Sequence, residues 1–215
     1  MPEHAITDAL TSERTTTTTA GAQRRAGLLF AVLSAQFMTV IMLAAAMVDG
    51  YDFGASAISD LGVFPETAWL FNASLVLVGV LNVAGGYYYY RVHGERWLFG
   101  LFALAGLGAV VAGLVPLDAG DLHSLGALFA FLFFNVQALG VATQVRGAMR
   151  YGSALAGVLG VVFLGVMIVG DAGNPAVFGA INHGGAERMI VYPAMIWLVA
   201  FGGDLLGRTE SVQTP

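Results

Sequence analysis

A small set of residues in this chain has the types and spacing for chemistry, and they gather at the ends of apolar segments. His123 opens one apolar stretch, and His183 stands four residues ahead of Glu187 at the start of another. On a helix that spacing puts imidazole and carboxylate on one face. Together they suit zinc or a similar divalent metal, and Asp118 would add a further oxygen ligand beside His123. The same groups also suit proton transfer, with Asp60, Asp118 or Glu187 as base and a histidine as acid. Gly184 and Gly185 weaken a helix between the histidine and the glutamate. No Gly-rich phosphate loop, Gly-x-Ser-x-Gly elbow or His-Glu-x-x-His signature is present. The candidates for catalysis are therefore Asp60, His123, Glu187 and Arg188, and those for a metal are His123, His183 and Asp118. Nothing marks a site for an organic cofactor.

Each of these residues also has a purely structural reading. A carboxylate such as Glu187 is favoured near a helix start by the backbone dipole. Ser59 or Asp60 would cap a short helix ahead of Pro65. Asn72, Asn82, Asn135 and Gln137 are polar groups within apolar stretches, where interhelical hydrogen bonds are their usual work. Asp49, Asp52 and Glu66 fit acidic loops that face water.

The elements that position these groups follow from hydropathy. Of 215 residues 57% are hydrophobic and 11% charged, with a mean hydropathy of +0.76. A soluble domain carries about 25% charge. The polar residues cluster between six apolar stretches: Ala26–Val48, Trp69–Tyr90, Trp97–Leu117, Leu125–Ala142, Ser153–Gly170 and Met189–Leu206. Each is close to the roughly 20 residues needed to cross a hydrocarbon core as a helix. Continuous apolar runs without in–out alternation exclude a transmembrane barrel. The expected fold is an all-α integral membrane protein of six transmembrane helices in three antiparallel hairpins. Residues 1–25, polar and threonine-rich, read as a disordered tail, residues 26–206 as the membrane domain and residues 207–215 as a short second tail. Ala44-Ala45-Ala46 has the small residues of a signal cleavage site. The apolar run before it is longer than the 7–15 residues, roughly, of a signal core, so the first span is expected to stay.

Charge sets the orientation. All nine basic residues are arginine, and eight of them, Arg188 excepted, fall on one side of a six-span chain. Positive residues mark cytoplasmic loops, so both termini are expected in the cytoplasm and the protein in the cell membrane. The opposite side then holds the acidic residues, His123, His183 and Arg188. Arg188, the one base there, is expected to pair with Asp60 or Asp118 and to share an outer pocket with His123 and Glu187. Pro193 within the last span is expected to bend or widen it. Asp-Ala-Gly recurs at 118–120 and 171–173, each time ahead of a histidine, which hints at repeated hairpins. Small residues four apart, as at Ala105, Ala109 and Gly113, at Ser153 and Gly157 and at Ala156 and Gly160, suit close helix packing. With no cysteine there is no disulfide or thiolate metal site, and with a net charge of −5 there is no basic patch for nucleic acid. The lysine-free, acid-rich composition fits a salt-adapted, archaeal-like chain or compositional drift.

At its polar positions the chain resembles a group of prokaryotic membrane proteins catalogued as domain of unknown function 998. The resemblance rests on Ile58-Ser59-Asp60-Leu61-Gly62, Phe71-Asn72, Pro116-Leu117-Asp118 with His123, and Glu187-Arg188 ahead of Tyr192-Pro193 and Trp197. It extends over roughly residues 28–206 and implies a six-helix membrane fold, with no activity attached. Three functions stay open. The first is an outward pocket that binds or hydrolyses a lipid-derived or other small substrate, with membrane lipid as partner. The second is a small-molecule carrier, and the third a non-catalytic protein of membrane assembly or partner binding.

Overall fold

Helices form where the apolar stretches lie, because backbone groups in lipid must find partners within their own segment. The computed structural model describes residues 3–210, with side chains for residues 18–208. The helices are α1 (Glu3–Met47), α2 (Ala68–His93), α3 (Arg96–Leu114), α4 (Asp121–Ala142), α5 (Gly147–Asp171) and α6 (Asn182–Glu210). Short 3-10 turns at Ser59–Gly62, Leu117–Ala119 and Pro175–Ile181 punctuate three of the connections. All six helices are long and apolar enough to cross a membrane, the shortest having 19 residues. Their outer surfaces agree with that solvent: Leu114, Leu155 and Ile196 are 67%, 62% and 62% exposed. Such surfaces would be costly in water and cost nothing in hydrocarbon.

Each helix packs on its neighbours in the chain, and α1 also packs on α6, closing the ring. Phe30, Phe102 and Phe201 meet inside it, with centroids of Phe30 and Phe102 5.0 Å apart. Glycines bring the backbones together, as the spacing of small residues implies. A side-chain carbon on Gly113 would lie 2.8 Å from the Asn72 carbonyl, and one on Gly157 would lie 2.7 Å from that of Asn135. Three of the four amides link helices as expected, while Asn72 donates to the Gly62 carbonyl of the Ser59–Gly62 turn at 2.9 Å. Asn82 of α2 donates to Gln137 of α4 at 3.0 Å and to the Phe102 carbonyl of α3 at 2.9 Å, and Asn135 donates to the Ile190 carbonyl of α6 at 3.1 Å. Gly94, at φ 78°, closes α2 by donating to the Tyr90 carbonyl, a left-handed position that a glycine adopts without strain.

Two expectations change. The segment 1–25 is helical from Glu3 onward rather than an unordered tail. Once the apolar part of α1 has nucleated, adding residues needs no new nucleus. The Gln23 amide also ties this extension to the Leu205 carbonyl at 3.1 Å. At the other end α6 continues to Glu210, and the rest of the 207–215 tail lies outside the described residues. Pro193 stands inside α6, which runs unbroken past it. Proline removes one amide donor, yet neighbouring helices in lipid commonly tolerate it. A groove of about 610 Å³ does adjoin Pro193, but it opens toward Met149 and Leu155 of α5, away from Ser59, His123 and Glu187.

Candidate functional site

The chain between α1 and α2 is too polar to enter the bundle unaided, and α6 binds it with two adjacent residues. Glu187, 1% exposed, accepts from the Ile58 amide at 2.5 Å and from the Ser59 hydroxyl at 2.9 Å. Arg188, 7% exposed, donates to the carbonyls of Ser56 and Gly184, both at 2.8 Å, and to the Tyr51 hydroxyl at 2.7 Å. Its guanidinium also lies over the Phe53 ring, 4.9 Å from the centroid. Burial pushes the Tyr51 phenol above its ordinary pKa, with the Arg188 charge and hydrogen bond acting against that rise. Asp60 braces the same loop, its carboxylate accepting from the Ala57 amide at 2.8 Å.

The expected ion pair of Arg188 with Asp60 or Asp118 is absent among the described residues. Carbonyl oxygens, a phenol and an aromatic face take the place of a carboxylate. Asp118 stands exposed in the Leu117–Ala119 turn, and Asp60 is engaged by its own loop. Gly184 explains how the loop comes so near. A side-chain carbon there would lie 2.1 Å from the Ser56 carbonyl, and the Gly185 amide donates to the Gly54 carbonyl at 3.2 Å. Glycines that weaken a helix locally are thus the surface on which the loop rests. Tyr51, Phe53 and Ser56 carried no signal in the sequence, because their partner is more than 130 residues away.

Two cavities adjoin this clasp. The outer one, about 380 Å³, is bordered by Ser59, Asp60, His123, Asp171, His183 and Glu187, with apolar residues of α4 and α5. The inner one is a slot of about 50 Å³ between apolar side chains such as Phe71, Val78, Ala109, Phe134 and Met195. Ser59, His123, Ala127, Phe131 and Glu187 border both. His123, in the first turn of α4 and 3% exposed, is held by the carbonyls of Val115 at 2.7 Å and Ala112 at 3.1 Å, both facing Nδ1. Its Nε2 is buried and has no partner among the described residues.

His123, Glu187 and Asp60 thus border one cavity, while Arg188 braces the loop behind it and Asp118 stays outside. The metal candidates do not gather into one ligand set: His123 and His183 border the same cavity, and Asp118 lies outside it. His183 pairs with Asp171 at 3.2 Å, and among the described residues no group of three or more histidines and carboxylates could hold a metal ion. His183 and Glu187 do share a face of α6, yet Glu187 is occupied by the loop and His183 by α5.

The six apolar helices and this polar end coincide with a known family. The family described as "Protein of unknown function (DUF998)" matches residues 23–204. The chain belongs to this family. No curated protein and no solved structure matches it. The DUF998 match extends over all six membrane helices and includes every residue of the clasp and both cavities, so this is a multi-pass membrane protein whose polar end belongs to the family region.

Proposed function

We propose that this DUF998 protein binds a small amphiphile at an outward-facing site, with the polar head in the outer cavity and the apolar end in the inner slot. The observation that carries this reading is the shared border of the two cavities at Ser59, His123 and Glu187. A compartment bordered by polar groups that narrows directly into an apolar one matches a molecule with one polar and one apolar end. The membrane supplies such molecules at high local concentration.

Orientation is part of the proposal. Residue pairs in contact run in opposite chain order, Gln23 with Leu205 and Ser34 with Met195, which supports antiparallel packing of α1 on α6. The arginine distribution supports termini in the cytoplasm and, with them, cavities that open on the far side of the cell membrane.

Ser59 adds a second reading. A serine hydroxyl that donates to a buried carboxylate is also the arrangement of a nucleophile with its base, so hydrolysis of a bound ester is within the site's chemistry. A carrier has less support. Ionisable groups near the midplane would be expected, and the amides found there, Asn82 and Gln137, bond to each other.

The test is binding of monolauroylglycerol to the purified protein in detergent, with Ala127→Trp as the blocked form. Saturable binding that Ala127→Trp abolishes, with the variant still folded by circular dichroism, supports the site. Absence of saturable binding, or equal binding to both proteins, rejects it. Release of lauric acid in the same samples would decide for hydrolysis.

A further inference from the structure

The hydrogen-bonding character of the cavity walls restricts the head group. Both oxygens near His123 Nδ1 belong to carbonyls, which only accept, so Nδ1 carries the proton. In the neutral ring Nε2 is then a lone pair, buried at the border of both cavities and without a partner among the described residues. The Ser59 hydrogen is committed to Glu187, and Glu187 accepts with both of its oxygens. His183 faces the Asp171 carboxylate through Nε2, so the hydrogen on that atom is committed as well. Ser124 is the one remaining hydroxyl on the border. No arginine borders either cavity, whereas Asp60, Asp171 and Glu187 border the outer one. The walls accept hydrogen bonds and offer almost none.

We propose that the amphiphile carries a head group without negative charge whose O–H or N–H donates a hydrogen bond to His123 Nε2. The inference rests on the amphiphile reading above and names the chemistry of its head. A buried acceptor left unpaired costs free energy, and a donor in the ligand recovers it. A phosphate or carboxylate head would meet three acidic side chains and no arginine, and it would bring only acceptors to a site made largely of acceptors.

Three probes of equal chain length separate the possibilities: monolauroylglycerol, its dimethyl ether, and dodecyl phosphate. The ether keeps the oxygens and loses the donors. The native protein is expected to bind monolauroylglycerol at least tenfold more tightly than either of the others. In His123→Phe the preference over the ether disappears. Histidine ¹⁵N spectra of the native protein, assigned by loss of one signal in His123→Phe, should show His123 as the Nδ1–H tautomer. Its Nε2 resonance should move when monolauroylglycerol is added. Equal affinity for the alcohol and the ether, both blocked by Ala127→Trp, overturns the donor inference and leaves the amphiphile site standing. Tighter binding of dodecyl phosphate, or the opposite tautomer, also overturns it. Failure of all three probes to bind rejects the amphiphile reading itself and the donor inference with it.

Discussion

Glu187 and Arg188 are neighbours in α6 and bind the same loop by opposite means, the glutamate as acceptor and the arginine as donor. Glu187 holds the Ile58 amide and the Ser59 hydroxyl, while Arg188 holds the Ser56 carbonyl and the Tyr51 hydroxyl. Successive residues on a helix point about 100° apart, so the two side chains reach different stretches of one loop. Both side chains are buried, yet neither bonds to the other, and each reaches the loop. The loop is thereby fixed in the position that makes Ser59 a wall of both cavities.

Removing the Glu187 side chain should loosen this wall. Glu187→Ala strands the buried Ile58 amide, and a buried donor without a partner costs about 1–3 kcal/mol. Glu187→Gln keeps an acceptor for Ile58 and an amide for Ser59. Thermal unfolding in detergent should therefore rank native above Glu187→Gln and Glu187→Gln above Glu187→Ala. An alanine variant as stable as the native protein would contradict the clasp.

Arg188 should resist conservative replacement. Its guanidinium reaches two carbonyls and a phenol at once and lies over Phe53. A lysine ammonium lacks the planar fork, so Arg188→Lys should lose about 1–3 kcal/mol rather than rescue the loop. In a double-mutant cycle with Tyr51→Phe, the two losses should fall short of additive, because they share one hydrogen bond. Additive losses would show that the Tyr51 contact contributes nothing.

Tyr51 also makes a statement about pH. Burial holds its phenol above the ordinary value, chiefly by desolvating the anion, with Arg188 opposing. A raised value in the folded state means stability that is complete below the unfolded pKa of about 10 and is lost as pH rises through the folded one. Between pH 9 and pH 11 the native protein should lose more thermal stability than Tyr51→Phe. An identical decline in the two proteins would remove the assignment.

The contrast between what the sequence foretold and what it concealed follows from range. Six spans were legible because hydropathy is local: each helix announces itself within about 20 residues. His123 and Glu187 were legible as candidates as well, since both stand near the starts of apolar stretches, whereas Asp60 lies midway along the connection between α1 and α2. The partner of Arg188 was not legible. Coulombic reasoning favours a carboxylate, but Gly184 lets the loop approach so closely that carbonyls and aromatic rings arrive first. The role of Gly184 depends on a contact with Ser56 far away in sequence. The extension of α1 into the polar segment was concealed for a related reason, since Gln23 finds its partner on α6.

Sidedness can be read directly, because the chain has no cysteine of its own. Single cysteines at positions 55, 120 and 177 should react with a membrane-impermeant maleimide on intact cells. Those at 93 and 148 should react only after permeabilisation. Labelling at both 93 and 120 on intact cells would exclude the proposed orientation and the six-span topology with it.

Packing of α2 on α3 offers the sharpest test of the bundle, because it depends on two glycines that face each other. A side-chain carbon on Gly79 would lie 2.3 Å from the Gly106 carbonyl, and one on Gly106 would lie 2.5 Å from that of Gly79. These obstacles are backbone atoms and cannot rotate away, so either alanine must push the helices apart. Forcing extra volume into a packed interface costs about 1–3 kcal/mol. Gly165 has nothing within 4 Å of the corresponding position and lies exposed on α5. Gly165→Ala should therefore be neutral or stabilise by up to about 1 kcal/mol through helix propensity alone. Gly79→Ala and Gly106→Ala should each lower the unfolding temperature. The double variant should cost less than the sum of the two, since helices already parted by one methyl accommodate the second more easily. If Gly79→Ala is as harmless as Gly165→Ala, the close approach of α2 and α3 at this level is wrong.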